Sequence, residues 1–393
     1  MSSPKNPPTT STSTPSTSHT DTTCTKPTPE TSTSTPIQNK TLLFHAIPPA
    51  RPIPNQHLSV QPLPFDLSAP PPPGGLTVAI LYSSIDPYQR SRMRPAHIKS
   101  YQPAFELGGA ITNYAVARVV KSDTAAPALT THHYRPGDLL YAFLPTAEYA
   151  TITAEELPSV VLSKITNHHS LPDLGLFLGP LGMPGLTGWA SLHEIGQPKP
   201  GETIFISSAA GAVGQVVGQI AKREGLKVIG SVGSEEKLRY IVEELGFDGG
   251  FNYKREKPKT ALKRLAPGGI DIYYENVGGE HLEAALGALR DFGRVVVSGM
   301  ISQYNATAAE RYGVSNLTHI ISKRLTIRGF IVSDPGFWDK YFDDHQEKMQ
   351  QWLADGSFKA KLHVIEGIDN AAEALVSIFE GKNFGKTVLK IQD

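Results

Sequence analysis

The chain has 393 residues, enough for roughly two domains, and its 37 Lys and Arg residues equal its 37 Asp and Glu residues, so the formal net charge is zero. That balance argues against nucleic acid or a membrane surface as the main partner, and no apolar run approaches the roughly 20 residues needed to span a bilayer. The single cysteine, Cys24, excludes an intramolecular disulfide; with no signal-peptide core and no arginine before Arg51, a cytosolic location is expected.

Residues 1–40 are mostly Ser, Thr and Pro. So few large apolar side chains cannot offset the entropy of ordering, and a disordered tail is expected there. The proline-rich stretch from Ile47 to Gly75 predicts extended, irregular chain with at most an edge strand. Next come the alternating runs GLTVAILYSSI, AITNYAVARVV and GDLLYAFL, separated by turn residues such as YRPGD. They predict a mostly β unit.

From about residue 180 the pattern changes. TIFISSAA, KVIGSV, IDIYYENV and RVVVSGM are apolar nearly throughout, and helical patterns such as VVGQIAKREG and HLEAALGALR come between them. Strands of that kind belong to a buried parallel sheet, so a doubly wound α/β domain of about six strands is expected. A helix near 337–354 and a last strand, TVLKI, complete the chain. This terminus is too short to fold alone and is expected to return to the first unit. The expected division is a tail over 1–40, a β-rich substrate domain over 41–175, a nucleotide-binding domain over 176–340 and a return segment over 341–393.

The stretch SSAAGAVGQVVGQIAKREG (207–225) sits between a strand and a helix. Its glycines, Gly211, Gly214 and Gly218, with Ala209 where a first glycine is usual, make a turn that lets backbone approach a pyrophosphate. The free N–H groups of the helix start would face it, and Gly218 would let the helix sit close to the sheet. The alternative is a plain strand-to-helix turn; the strand before and the helix after favour dinucleotide binding. At the end of the next strand Gly230 and Ser231 stand where an acid would hold a ribose 2′-hydroxyl, and Lys237 follows. That open end favours NADP(H) over its unphosphorylated counterpart, although Glu235 and Glu236 lie nearby. The adjacent pairs His132–His133 and His168–His169 would point to opposite faces of a strand, so no metal site is expected. No G-x-S-x-G nucleophile elbow is present.

GMPGLTGWASL, AAGAVGQVVGQIAK, YYENVGG, GMISQYN, GKNFGKTV and SSIDPYQRSRM together resemble the zinc-independent medium-chain dehydrogenase/reductases. The likeness is to their NADP-dependent alkenal/one reductases, the group that includes leukotriene hydroxydehydrogenase/prostaglandin reductases. It runs from about residue 76 to the C-terminus. It implies a Rossmann domain, a GroES-like β-rich domain built from both chain ends, and a homodimer. It also implies reduction by NADPH of the carbon–carbon double bond of α,β-unsaturated aldehydes and ketones. A zinc-independent quinone reductase, a secondary alcohol dehydrogenase, or a non-enzymatic NADPH-binding module are the alternatives.

By the same resemblance, Gly211, Ala212, Val213 and Gly214 meet the pyrophosphate, and Lys237 and Tyr253 the 2′-phosphate. Asn276, the segment Ser298, Gly299, Met300, Ile301, Ser302, Gln303 and Tyr304, the trio Phe330, Ile331 and Val332, and Asn383 contact the cofactor. Met183 and Thr187 are expected near the nicotinamide. Tyr273 is the expected donor at the substrate oxygen, with Tyr88 the second candidate and Tyr274 read as core. Arg90 is assigned to structure or to an acidic substrate. The Asn113–Tyr114 pair, and Pro145–Thr146 where a tryptophan is usual, depart from the family pattern and leave the substrate open.

Overall fold

The computed structural model describes residues 36–123 and 133–393. The expected tail lies outside the described residues up to Thr35, as do Cys24 and His132. Its last four positions do not belong to a tail: β1 (Ile37–Phe44) starts at Ile37 and pairs antiparallel with β2 (Leu58–Phe65), from Ile37 opposite Phe65 to Phe44 opposite Leu58. Leu42 and Phe44 are buried, and Asn39 exchanges two hydrogen bonds with the Tyr149 backbone (3.0 and 2.9 Å), which fixes the polar half of the strand.

The strands β3 (Leu76–Ser84), β4 (Thr112–Ser122), β5 (Leu139–Pro145), β6 (Tyr149–Ile152) and β7 (Val161–Lys164) follow. Six strands come next: β8 (Thr203–Ile206), β9 (Lys227–Val232), β10 (Gly249–Asn252), β11 (Ile270–Glu275), β12 (Leu289–Val297) and β13 (Thr326–Gly329). They form one parallel sheet in the order β10-β9-β8-β11-β12-β13. Strand order reverses between β8 and β11, the position where open α/β sheets leave a crevice at their carboxyl ends.

Both faces of this sheet are covered, which explains its continuous apolar strands. On one face Ile204, Ile206, Val228 and Tyr274 pack with Leu186, Val216, Val217 and Met349 of the helices Met183–Ser191, Gly214–Arg223 and Trp338–Ala354. On the other, Phe205, Phe251 and Tyr273 pack with Leu262 and Leu286 of Pro258–Leu265 and Gly279–Ala288. A Cβ on Gly218 would come within 2.0 Å of the Phe247 ring, so the helix meets the layer beneath it only because this residue has no side chain.

The last two strands, β14 (Leu362–Glu366) and β15 (Lys386–Lys390), pair with each other. β15 also runs antiparallel to β3, with Val388 opposite Ser84, in a seven-stranded sheet of order β14-β15-β3-β4-β5-β7, with β6 also paired to β3. A Rossmann-like sheet, a separate mixed sheet built from both chain ends and the two-stranded β1–β2 sheet thus make up the described fold. No helix among the described residues is long and apolar enough to cross a membrane.

Candidate active site

The cleft lies at the carboxyl ends of β8 and β11 and consists of two chambers, an inner one of about 210 Å³ and an outer one of about 570 Å³. Asp86, Pro87, Ser208, Gly211, Ala212 and Ile301 line both. The turn after β8 is local in origin. Ser208 takes a left-handed conformation (φ 53°), costly for a residue with a side chain, and Gly211 N–H closes the bend on Ser208 O (2.9 Å). A Cβ on Gly214 would lie 2.4 Å from Ser208 O, so only glycine starts this helix. The amides of Ala212 and Val213 have no acceptor among the described residues, while Gly385 N–H donates to Ala210 O (3.1 Å) and pins the turn to the C-terminal segment.

The outer chamber is lined by Lys237, Tyr253, Ser302, Gln303 and Asn383. Lys237 donates to Gly381 O (2.8 Å); burial, then the neighbouring Lys254, lowers its pKa. No carboxylate stands at the tip of β9. Glu235 accepts from Asn252 (2.8 Å) and pairs with Arg255 (3.4 Å), which turns its charge to other partners.

The inner chamber gathers Met183, Thr187, Val213, Gly214, Asn276, Ser298, Gly299, Phe330, Ile331 and Val332, with the phenols of Tyr88, Tyr101, Tyr114 and Tyr304. Behind them runs a buried polar network. Lys386 Nζ donates to Asp86 Oδ1 and to Ile85 O (2.7 Å each). Asp86 Oδ2 accepts from Ser84 and from Asn113 Nδ2 (3.1 Å), and Asn113 Oδ1 accepts from Tyr88 (2.5 Å). Burial, then Asp86, pushes the Tyr88 phenol well up. Arg90 is bound to Asn305 (2.8 Å), Ala50 O (2.8 Å) and Pro48 O (3.2 Å), so its guanidinium clamps loops together.

Two expected residues line neither chamber. Tyr273 is fully buried on the opposite sheet face, stacked on Phe205 (5.0 Å between centroids), with its hydroxyl donating to Glu275 Oε1 (2.8 Å). Alternation along β11 sets this. Tyr273 pairs in register with Phe205 and faces the helices Pro258–Leu265 and Gly279–Ala288. Tyr274 is core as expected, but it faces the helix that carries Thr187, with its hydroxyl 2.7 Å from Ser191 Oγ. Tyr273 is therefore a support rather than a group at the substrate. Ser207 Oγ and Glu275 Oε1 share its hydroxyl region, and Ser207 accepts from the Asn276 backbone (2.9 Å) and side chain (2.7 Å), fixing Asn276 at the cleft. Met300 also lines neither chamber; its side chain packs on Gly278, and its N–H donates to Tyr304 (3.2 Å).

Beyond the expected set, Tyr101, Gln102, Ser208 and Lys386 line the cleft, as does Tyr114, a departure from the family pattern. Lys386 carries no local signal: its partner is 300 positions away.

A family model described as zinc-binding dehydrogenase matches residues 212–347, and one described as the N-terminal domain of oxidoreductase matches 57–160. The NADP-dependent oxidoreductase RED1 of Cochliobolus heterostrophus is 48% identical over 356 residues, 91% of this chain and 98% of that protein. The 2-alkenal reductase (NADP(+)-dependent) of Nicotiana tabacum is 42% identical over 326 residues, 83% of this chain and 90% of that one. Among solved structures, CurA in complex with NADPH from Vibrio vulnificus matches with a TM-score of 0.79 at 31% identity, covering 90% of this chain and 99% of that chain. The fold, the cleft and these relatives define an NADP-dependent oxidoreductase acting on a small-molecule substrate. The chain belongs to the medium-chain dehydrogenase/reductase family. Among the described residues no three His, Cys, Asp or Glu side chains are grouped to hold a metal ion, so they do not fit the zinc of the first model's description.

Proposed function

We propose that this protein uses NADPH to reduce the carbon–carbon double bond of α,β-unsaturated aldehydes and ketones. One observation carries the reading. A chamber of about 210 Å³, bounded on one side by the glycine turn, is lined by four phenols and apolar side chains. That is a site with hydrogen-bond donors for a carbonyl oxygen and a dry surface for a carbon chain. The 42% identity to a plant 2-alkenal reductase supports it.

The residues fit the cofactor. The unpaired amides of Ala212 and Val213 suit a pyrophosphate, and the helix Gly214–Arg223 adds its positive end. Lys237 and Tyr253 suit the 2′-phosphate; Asn276, Ser298, Gly299, Ile301 to Tyr304, Phe330 to Val332 and Asn383 flank the rest, with Met183 and Thr187 toward the nicotinamide. When bound, NADPH supplies the hydride that the β-carbon receives. The chain's part is to hold the carbonyl oxygen as charge develops there; removing one such donor typically costs on the order of 10²–10³ in rate.

Incubation with NADPH and an enone, followed by product identification, tests the reading. A saturated ketone is expected. An allylic alcohol, or turnover confined to quinones with hydroquinone as product, would replace it with the alcohol dehydrogenase or quinone reductase alternative. NADPH binding without oxidation by any acceptor would leave a binding module.

A further inference from the structure

The four phenols of the inner chamber differ in what their hydrogens are free to do. Asn113 donates from Nδ2 to Ser84 O (2.6 Å) and to Asp86 Oδ2, so its Oδ1 must accept, and the one hydrogen of Tyr88 is committed to it. The Asp86–Lys386 pair locks that orientation from below. Tyr304 accepts the Met300 N–H (3.2 Å), which ties its oxygen to that turn and leaves its own hydrogen free, and Tyr101 is 52% exposed.

Tyr114 differs in that its hydroxyl neither donates nor accepts a hydrogen bond among the described residues, while its ring is held in place. Its ring is stacked on Tyr141 (5.5 Å, 7°) and set edge-on to Phe143 (5.3 Å, 85°). Tyr141 is stacked on Trp338 (6.4 Å) and accepts the Met183 N–H (3.0 Å), so the ring is tied to the first residue of the helix that lines the chamber. Tyr114 lines the same chamber as Met183, Thr187 and Gly211. A stacked ring on β4 of the mixed sheet thus carries an uncommitted O–H, in the lining of the chamber that the glycine turn also bounds.

Building on the enone-reductase reading above, we propose that Tyr114 donates the hydrogen bond that holds the substrate's carbonyl oxygen as it becomes an enolate. When the β-carbon gains hydride, the double-bond pair shifts to join the α-carbon to the carbonyl carbon, and the carbonyl π pair comes to rest on oxygen. The Tyr114 O–H bonds to that oxygen and keeps its own proton. The proton that reaches the α-carbon comes from water, and the carbonyl re-forms. One NADPH, one proton and one enone give NADP⁺ and the saturated carbonyl. Burial, then Asp86, pushes the Tyr114 phenol up to about 12, so it stays a donor at neutral pH.

Tyr114→Phe keeps the ring and its stacking. It is expected to lower kcat for an enone by ~10²–10³-fold, with NADPH affinity and melting temperature unchanged. The second readout needs no turnover: 4-cyanophenolate, an oxyanion that stands in for the enolate oxygen, is titrated by absorbance into protein saturated with NADP⁺. Affinity in the variant is expected to fall about tenfold or more, the loss of one charge-assisted hydrogen bond. Support requires both losses. Turnover or phenolate affinity equal to wild type, or a wild type that takes up no phenolate, overturns the role of Tyr114. A wild type that binds NADPH but reduces no enone overturns the reductase reading instead, and the phenolate titration then decides alone whether Tyr114 holds an oxyanion.

Discussion

Asp86 and Lys386 mark the limit of what a sequence shows about single residues. Asp86 sits in the segment SSIDPYQRSRM, yet its cation is neither Arg90 nor Arg92 of that segment but Lys386. The partner arrives because β15 returns beside β3, and both side chains are almost wholly buried, at 5% and 1% exposure. Taking one member of such a pair away strands the other charge in a medium that cannot solvate it. Lys386→Met is therefore expected to cost about 3–5 kcal/mol in urea unfolding, and Lys386→Met with Asp86→Asn to recover part of that. A single variant as stable as wild type would contradict the pairing. Tyr273 shows the converse limit. Alternation in IDIYYENV assigns Tyr273 and Tyr274 to opposite faces, but only the sheet's neighbours decide which face meets the cleft.

At the scale of elements, the strand–glycine–helix unit at 203–223 was legible because its causes are local: a buried apolar strand, a turn that excludes side chains, and an amphipathic helix. β1 was not legible to its first residue, because Ile37 to Lys40 are polar-flanked and are held by the ladder to β2 and by Tyr149. The helix Trp338–Ala354 was readable as a helix, but its docking was not. His345, wholly buried, donates Nε2–H to Pro180 O (2.8 Å), and Gln346 donates to Leu181 O (2.7 Å), just ahead of the helix carrying Met183. On the helix Gly279–Ala288, buried His281 has no partner for Nε2 among the described residues. Burial pushes both imidazoles down to about 4. An unfolded chain takes up these protons near pH 6.5, so between 6.5 and 4 it holds more of them than the folded chain. Stability is thus full above about pH 6.5 and falls as pH falls toward 4, by about 3 kcal/mol for each histidine at most. Urea titrations at pH 7.5 and 5 check this, with a shallower fall expected for His281→Phe; equal stability at the two pH values would contradict it.

For the whole molecule, the class of each half could be read from period alone, alternating in the first and continuous in the second. The cleft could not, since it exists only where Gly211 and Gly385 meet across the chain. The proposed function requires an anionic cofactor end to lie along the Ala212–Val213 amides toward Lys237, with no carboxylate at the tip of β9 to repel it. Fluorescence titration of NADPH and NADH into wild type and Lys237→Ala measures this directly. Wild type is expected to bind NADPH at least ~10-fold more tightly than NADH, and the variant to lose most of that difference while keeping its NADH affinity. Equal affinity of wild type for the two coenzymes would contradict it.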